Sequence, residues 1–436
     1  MAERRASSNR AGASPPSPLR YSENSMRAIY VAVAVFAVVY IALDLNKLYA
    51  LRYGADLGTH LQTLVNLRHG SSWNYGEWRP HFQVHDSWAL AALVPLIALF
   101  PRAETLIVVQ VLAVAVAAIP LVCFARELGV EARAATVIGI AYLLTPSAQG
   151  LAYDNFSENV FVALLVFGGA LFARRRWLWP ALIAAQLLMG LKEDQIFFVL
   201  WFAAACALWW DRRIGVALGA LALCNGVGFW SAERIAGVAP GVPQYGFAVS
   251  DPSGKVTMVV LLLAPFAFAP VAVGWWLLLA LPLLAEIVFM RPWNYEASRV
   301  GSHYTAALLA ASAVAAAFGV RRYRGFARVM LACAAVVMLL IFNDTVLRPG
   351  RWPYVVDWSA YARAVAVRDG ARPTTLRRRD EGTWAIAAAN PRVRLDPHSD
   401  PGFTACPAYN TNAPAFFESL RGRAPQHLCG GVPVRP

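Results

Sequence analysis

The residues able to do chemistry gather in one stretch. Arg52 to Asp86 reads RYGADLGTHLQTLVNLRHGSSWNYGEWRPHFQVHD and holds four of the seven histidines, His60, His69, His81 and His85. Asp56, Glu77 and Asp86 stand among them. Asp56 follows Gly54 and opens a polar helix-like segment that Gly70 closes. Its carboxylate either caps that helix by accepting backbone N–H bonds or serves as a general base or a ligand. A helix N-terminus favours the anion in both roles. His81 and His85 are four apart and share a face if helical. With Asp86 they can bind a divalent metal or a phosphate, although HxxxH alone lacks the third ligand of a zinc site. Interfacial histidines beside Trp78 and Trp88 are the simpler reading. His60 and His69 read as polar-face residues.

Further candidates lie in shorter polar breaks. Asp154 and Glu158 are four apart at the entrance to an apolar run. Like charges at that spacing repel slightly unless a cation or proton intervenes. Lys192, Glu193 and Asp194 interrupt MGLKEDQIFFVL. A polar turn explains them, yet three charges exceed what a turn requires, and Lys192 can hold a phosphate as a point charge. It is one of three lysines, with Lys47 and Lys255, against 36 arginines. Arg291, Glu296, Arg299 and His303 share a loop with Trp293, Tyr295 and Tyr304. Arginine suits bidentate phosphate recognition. The aromatic residues anchor at an interface or line a sugar site. Glu286 lies within an apolar run and needs a partner or a proton.

The elements that must position these groups are built for lipid. The chain is 58% hydrophobic and 15% charged, where a soluble domain is about 45–50% apolar and about 25% charged. The fold class is therefore all-α, a polytopic helical membrane protein; the strand alternation of an outer-membrane barrel is absent. The net charge of +13 is spread over short loops and tails, which serves topology rather than nucleic-acid binding. Residues 1–27 read as a disordered basic cytoplasmic tail, 28–342 as the transmembrane domain, and 343–436 as an extracytoplasmic polar region.

Residues 87–100, SWALAALVPLIALF, are only 14 long with a central proline, which suits a re-entrant or interfacial segment. If they do not cross, the clusters at Arg126 and Arg133, Arg174–Arg176, Arg212–Arg213 and Arg321–Arg328 all fall in the cytoplasm. If they cross, every cluster faces outward. Residues 256–290 would form a helix roughly 52 Å long, so they read as two short spans meeting near Pro270. The expectation is about eleven spans in the cytoplasmic membrane. The N-terminus is inside, the C-terminus outside, and the loop 46–86 outside. The loops at 153–158, 192–194, 232–255 and 291–304 join it there.

Cys123, Cys206, Cys224 and Cys333 read as small apolar packers. Cys406 and Cys429, in the polar tail, either pair under oxidising conditions or stay as thiols. No P-loop, GxGxxG, GxSxG or HExxH motif occurs, which argues against an ATP-driven pump, a Rossmann enzyme, a serine hydrolase or a zincin.

Five stretches together resemble an uncharacterised prokaryotic family of polytopic membrane proteins, a domain of unknown function, along roughly residues 28–340. They are ADLGTHLQTLVNLRHG (55–70), HFQVHDSW (81–88), PLVCFARELG (120–129), LKEDQ (191–195) and GSHYTAAL (301–308). That family in turn resembles the membrane glycosyltransferases of the C-type fold, which take sugars from polyprenyl-phosphate donors. The resemblance implies an acidic catalytic residue in the first outer loop, at Asp56. The family often has His-Pro-Glu in its second outer loop. Here the chain reads Asn155-Phe156-Ser157-Glu158, so only the glutamate carries over.

The expected activity is sugar transfer from a polyprenyl-phosphate lipid donor to an extracytoplasmic acceptor. Asp56 takes the acceptor proton, and Lys192, Arg299 and His303 neutralise the leaving phosphate. Glu158, or a divalent metal on His81 and His85, positions the donor, with Glu193 and Asp194 also at the substrate. A transporter or flippase is one rival; it requires a polar path across the bilayer, against nearly charge-free span centres. A non-catalytic membrane scaffold is the other, and it predicts Asp56 and Lys192 far apart.

Overall fold

A computed structural model of the chain describes residues 23–53, 55–74, 79–153, 155–236, 251–289, 300–345, 353–359, 361–362, 375–377 and 394–396. Arg299, Asp154, Cys406, Cys429 and the side chain of Glu286 lie outside what is described.

Long apolar runs become helices because a helix satisfies its own backbone where no water can. Helix α1 is Glu23–Tyr49. It buries Ile29, Val33, Phe36, Tyr40 and Leu43, while Tyr30, Val31, Val35 and Val38 stay exposed. A helix apolar all round, with one side packed and the other bare, is a lipid-facing element. Helices α4 (Ala103–Val116) and α5 (Ala118–Glu127) run on as one rod. Their small discontinuity at Ala117 precedes Pro120, whose ring nitrogen has no hydrogen to donate. Helices α6 (Ala132–Leu143) and α7 (Pro146–Tyr153) meet at a 50° bend. There the Thr145 hydroxyl accepts from the Ala148 N–H at 3.1 Å and so caps the second half.

Next come α8 (Val162–Arg174), α9 (Leu178–Met189), α10 (Gln195–Trp209) and α11 (Arg212–Ala236). The run 256–290 breaks as expected, into α12 (Pro252–Leu263) and α13 (Trp275–Phe289). Between them Ala267, Phe268 and Gly274 adopt positive φ, and Pro270 starts a short 3-10 turn. Helices α14 (Ala306–Arg322) and α15 (Gly325–Thr345) close the bundle. Among the described residues, four helical stretches are long and apolar enough to cross a bilayer: Met26–Tyr49, Ala103–Glu127, Arg212–Ala232 and His303–Arg322. The bent α6–α7 pair makes five if it is one span. The chain is an all-helical polytopic membrane protein.

Side chains sort by end. At one end Arg175 grips Glu127 through Nε at 2.9 Å and Nη2 at 2.8 Å, and Arg176 reaches Asp211 at 3.5 Å. The opposite end holds a second layer. There helix α2 (Ala55–Leu67) turns Leu57, Leu61 and Leu64 inward, the i, i+4, i+7 spacing of a single buried face. Residues 88–99 form a 3-10 turn, Trp88–Leu93, followed by α3 (Val94–Leu99). This stretch is too short to span. Leu90 and Ile97 pack instead with α2 and with Ala103, Leu106 and Ile107 at the start of α4. The segment 353–362 returns to this layer. Asn46 exchanges two hydrogen bonds with the Tyr354 backbone at 2.8 and 3.1 Å. Tyr361 donates to Glu104 at 3.0 Å and meets the Tyr49 ring edge-on at 5.0 Å.

Within the bundle α14 is buried almost throughout and is largely alanine. Small residues allow close backbone approach in a membrane fold. The tightest such contact holds the site. A Cβ on Gly150 would overlap the Gly301 backbone, and next to it Ser147 and Thr305 share a hydroxyl hydrogen bond at 2.7 Å. We expect Gly150→Ala to lower the thermal transition of the detergent-solubilised protein by several degrees, as overpacking costs about 1–3 kcal/mol. Gly228→Ala, where a Cβ meets nothing within 4 Å, should leave the transition unchanged or raise it slightly.

Candidate functional site

Helix α2 begins at Ala55, one residue before the expected start, so Asp56 sits inside the first turn rather than at the cap. The carboxylate still lies at the positive end of the helix. Its exposure is intermediate. One turn on, His60 faces inward. Its Nδ1 lies 2.7 Å from the Asp56 carbonyl and its Nε2 lies 3.0 Å from Glu158 Oε2. Both ring nitrogens therefore face acceptors, an arrangement that an imidazolium satisfies by donating from each. The side chains are 8% and 5% exposed. Burial pushes the His60 pKa down, but the hydrogen bond and charge of Glu158, with smaller help from Asp56, lift it to about 9.

The polar-face reading of His60 is thus corrected, whereas His69 is exposed as expected. Periodicity held the clue for His60, because it lies on the same face as Leu57, Leu61 and Leu64. Glu158 arrives from the bundle. Ser157 precedes it in extended conformation and caps the short 3-10 helix Glu158–Phe161 by accepting from the Asn159 N–H at 3.3 Å. The Ser157 hydroxyl also reaches Glu158 at 3.4 Å.

His81 and His85 occupy one helical turn, with the His85 N–H donating to the His81 carbonyl at 3.0 Å. The three histidine rings form a row. His60 and His81 are 5.2 Å apart, and His81 and His85 are 6.2 Å apart, each pair edge to face. His81 is buried. His85 Nδ1 faces Glu193 Oε1 at 3.4 Å, and the same carboxylate accepts from the Asp86 N–H at 3.4 Å. Burial opposes the charge on His85, and Glu193 outweighs it, so the His85 pKa is raised. For the expected divalent metal, no three His, Cys, Asp or Glu side chains converge among the described residues.

The Lys192–Asp194 turn is more than a connection. Lys192 is buried, 3.6 Å from Asp194 Oδ2 and 5.1 Å from the centre of the Tyr304 ring. Asp194 is the N-cap of α10 and Glu193 precedes it, at a helix end where a negative charge is favoured. The turn is fixed from behind. The Ala89 N–H donates to the Gly190 carbonyl at 2.8 Å, and a Cβ on Gly190 would strike the Trp88 ring. The His303 ring lies 4.2 Å from that of Tyr304, tilted by 35°. It shares a small polar space with Asn159, Lys192, Asp194 and Gln195. Glu158 lies within electrostatic reach of both His85 and Lys192. The structure therefore brings together Glu158, Lys192, Glu193, Asp194, His303, His81 and His85, with Asp56 one helical turn from His60.

One larger cavity opens beside this cluster, with a volume of 430 Å³. His85, Lys192, Glu193 and Asp194 form its polar end. Ile196, Phe197 and Leu200 of α10 and Ala222 to Trp230 of α11 form an apolar wall. Phe197, Leu223, Val227 and Trp230 are exposed, so the wall opens on the lipid-facing surface of the bundle.

Residues 47–235 match the DUF2079 family, described as a predicted membrane protein. The match is shorter than the stretch expected from the motifs, and GSHYTAAL lies beyond it. No curated protein sequence matches the chain. In structure the chain is similar to ArnT from Cupriavidus metallidurans bound to undecaprenyl phosphate. That likeness has a TM-score of 0.53 at 15% identity and covers 92% of this chain and 89% of ArnT. The same ArnT in its apo state aligns with a TM-score of 0.50 at 16% identity, over 91% and 78% of the two chains. At such identity the likeness is one of fold.

The pair His60–Glu158 has a pH signature. The folded histidine pKa, near 9, exceeds the free value of about 6.5. Its stabilisation is therefore complete below about pH 6.5 and lost as pH rises through about 9. At about 1.4 kcal/mol per pKa unit, the loss is about 3 kcal/mol. Thermal transitions measured from pH 6 to 10 should fall across that window in the native protein. In His60→Gln the curve should be lower and flatter there.

Proposed function

We propose that the protein transfers a sugar from a polyprenyl-phosphate donor to an acceptor at the extracytoplasmic face of the cytoplasmic membrane. The observation that carries this reading is the cavity with two characters. Its lipid-facing apolar wall suits a polyprenyl chain, and its polar end suits a phosphate. The donor enters sideways from the bilayer, places its phosphate near Lys192 and His85, and presents its sugar toward Glu158 and Asp56. The acceptor hydroxyl attacks the anomeric carbon as the bond to the phosphate oxygen breaks. Asp56 takes the hydroxyl proton. The polyprenyl phosphate leaves with its charge countered by Lys192, which trades the 3.6 Å contact with Asp194 for the phosphate. Arg299 and His303 belong to the same leaving-group side in this proposal. Support also comes from the similarity in fold to ArnT, which binds undecaprenyl phosphate.

The proposed topology has eleven crossings with a cytoplasmic N-terminus. Residues 46–86 and the C-terminal region are extracytoplasmic. Every arginine cluster then faces the cytoplasm.

The test is genetic and chemical. A deletion strain is compared with strains carrying the native gene, Asp56→Asn or Lys192→Met, with protein levels checked in the membrane. Asp56→Asn should reproduce the glycolipid or surface-glycan defect of the deletion. Lys192→Met should reduce product about 10²–10³-fold, the usual effect of removing one charge-stabilising donor. Unchanged profiles for Asp56→Asn at normal protein levels would overturn the assignment.

A further inference from the structure

Lys47 is the one lysine near the site without an evident task in the transfer. It sits in the last turn of α1 and is 1% exposed. Its Nζ donates to the Tyr153 carbonyl at 2.8 Å. The same ammonium lies 4.3 Å from the centre of the Tyr53 ring and 4.7 Å from that of Tyr153. Each contact suits a cation. Tyr153 ends α7, and a helix C-terminus carries partial negative charge. Aromatic faces attract an ammonium more strongly when water is excluded.

The two tyrosines come from the two segments that carry the site. Tyr53 is three residues before Asp56, and Tyr153 is five residues before Glu158. We propose that Lys47 is a positioning residue whose caged ammonium clamps these segments together and sets the separation of Asp56 from Glu158. The catalytic consequence rests on the transferase reading; the clamp itself does not. Lysine suits the place because its charge is compact and fits between two rings. Lys47 touches both segments from a third element, α1, so neither segment can drift without breaking a contact to the ammonium. The pair His60–Glu158 spans the same gap from the other side. Its strength therefore reports on the clamp.

The experiment uses the full chain in lipid nanodiscs. Histidine NMR follows the His60 titration, assigned by its loss in His60→Gln, and hydrogen exchange follows residues 55–67. The charged groups around His60 are Asp56 and Glu158, with the neighbouring His81 ring, and none of them is altered. In Lys47→Met the His60 titration should fall from about 9 toward the ordinary value of about 6.5, and exchange in α2 should quicken at least tenfold. Lys47→Arg retains a cation and a donor for the Tyr153 oxygen and should keep the titration high. Lys255→Met should leave it unmoved. A folded Lys47→Met protein with native titration and exchange would overturn the proposal. Should Lys47→Met fail to accumulate, Tyr53→Leu removes one wall of the cage while keeping the ammonium. It must also lower the titration, and a native value there would overturn the clamp. Neither readout needs turnover. Failure of Asp56→Asn to change glycans removes the transferase reading and leaves the clamp standing, and a failed clamp leaves the transferase reading standing.

Discussion

The arrangement depends on a buried ion pair between His60 and Glu158, whose partners lie 98 residues apart in sequence. Two charges taken out of water cost more than their attraction commonly returns, and an apolar pair of equal volume is often as stable. What the pair contributes is geometry. A carboxylate in so dry a setting must keep its partner close, because losing one group leaves the other charged and unsolvated. Helix α2 is held in position over the bundle by that requirement, and with it the first-turn carboxylate of Asp56. The apolar cluster beneath, built from Leu57, Leu61, Leu64, Leu90 and Ile97, supplies the dry setting that makes the requirement strict.

Much of the scaffold was legible in the residues because lipid leaves few alternatives. The helix breaks near Pro270, the short stretch 88–99 that packs instead of spanning, and the helical segment opened by Asp56 all follow from local rules of length and proline placement. The crowding at Lys192–Asp194 was also legible, since three charges in an apolar run demand a polar destination. The pairing of His60 with Glu158 was not. Periodicity puts His60 on the buried face with Leu57, Leu61 and Leu64, but a partner nearly a hundred residues away leaves no local trace. The 50° bend between α6 and α7 was missed for the opposite reason. The apolar pattern runs straight through it, and only Thr145-Pro146 marks it. Lys47 carries no local mark of its contacts, because a basic residue near the end of a span has an ordinary explanation in topology.

The two ends of the bundle solve different problems. At one, Arg175 pairs with Glu127, both partly exposed, and the largely exposed Arg176 pairs with Asp211; pairs open to solvent contribute little energy individually. At the other, most charges are buried and each is answered by a specific group: His60 by Glu158, the partly exposed His85 by Glu193, Lys192 by Asp194 and the Tyr304 ring, Lys47 by the Tyr153 carbonyl. Close contacts around them, Gly150 on Gly301 and Gly190 on Trp88, remove the slack that larger side chains would introduce. In the proposed transfer, polar walls beside an open apolar groove would hold the head group of a lipid donor while its chain adapts.

The hydrogen bonds between Asn46 and Tyr354 carry a consequence for how the chain threads the bilayer. Two residues bonded directly to each other cannot stand on opposite sides of a membrane. Whatever path the chain takes between them, it must pass through an even number of times, whichever way the protein is oriented. The ten passages of the proposed topology, from α4–α5 to α15, satisfy that condition. An eleventh passage by residues 87–100 would violate it, and so would the loss of any one of the ten. A single pair of hydrogen bonds thus constrains the topology of some 300 intervening residues, and it does so independently of where the arginines lie.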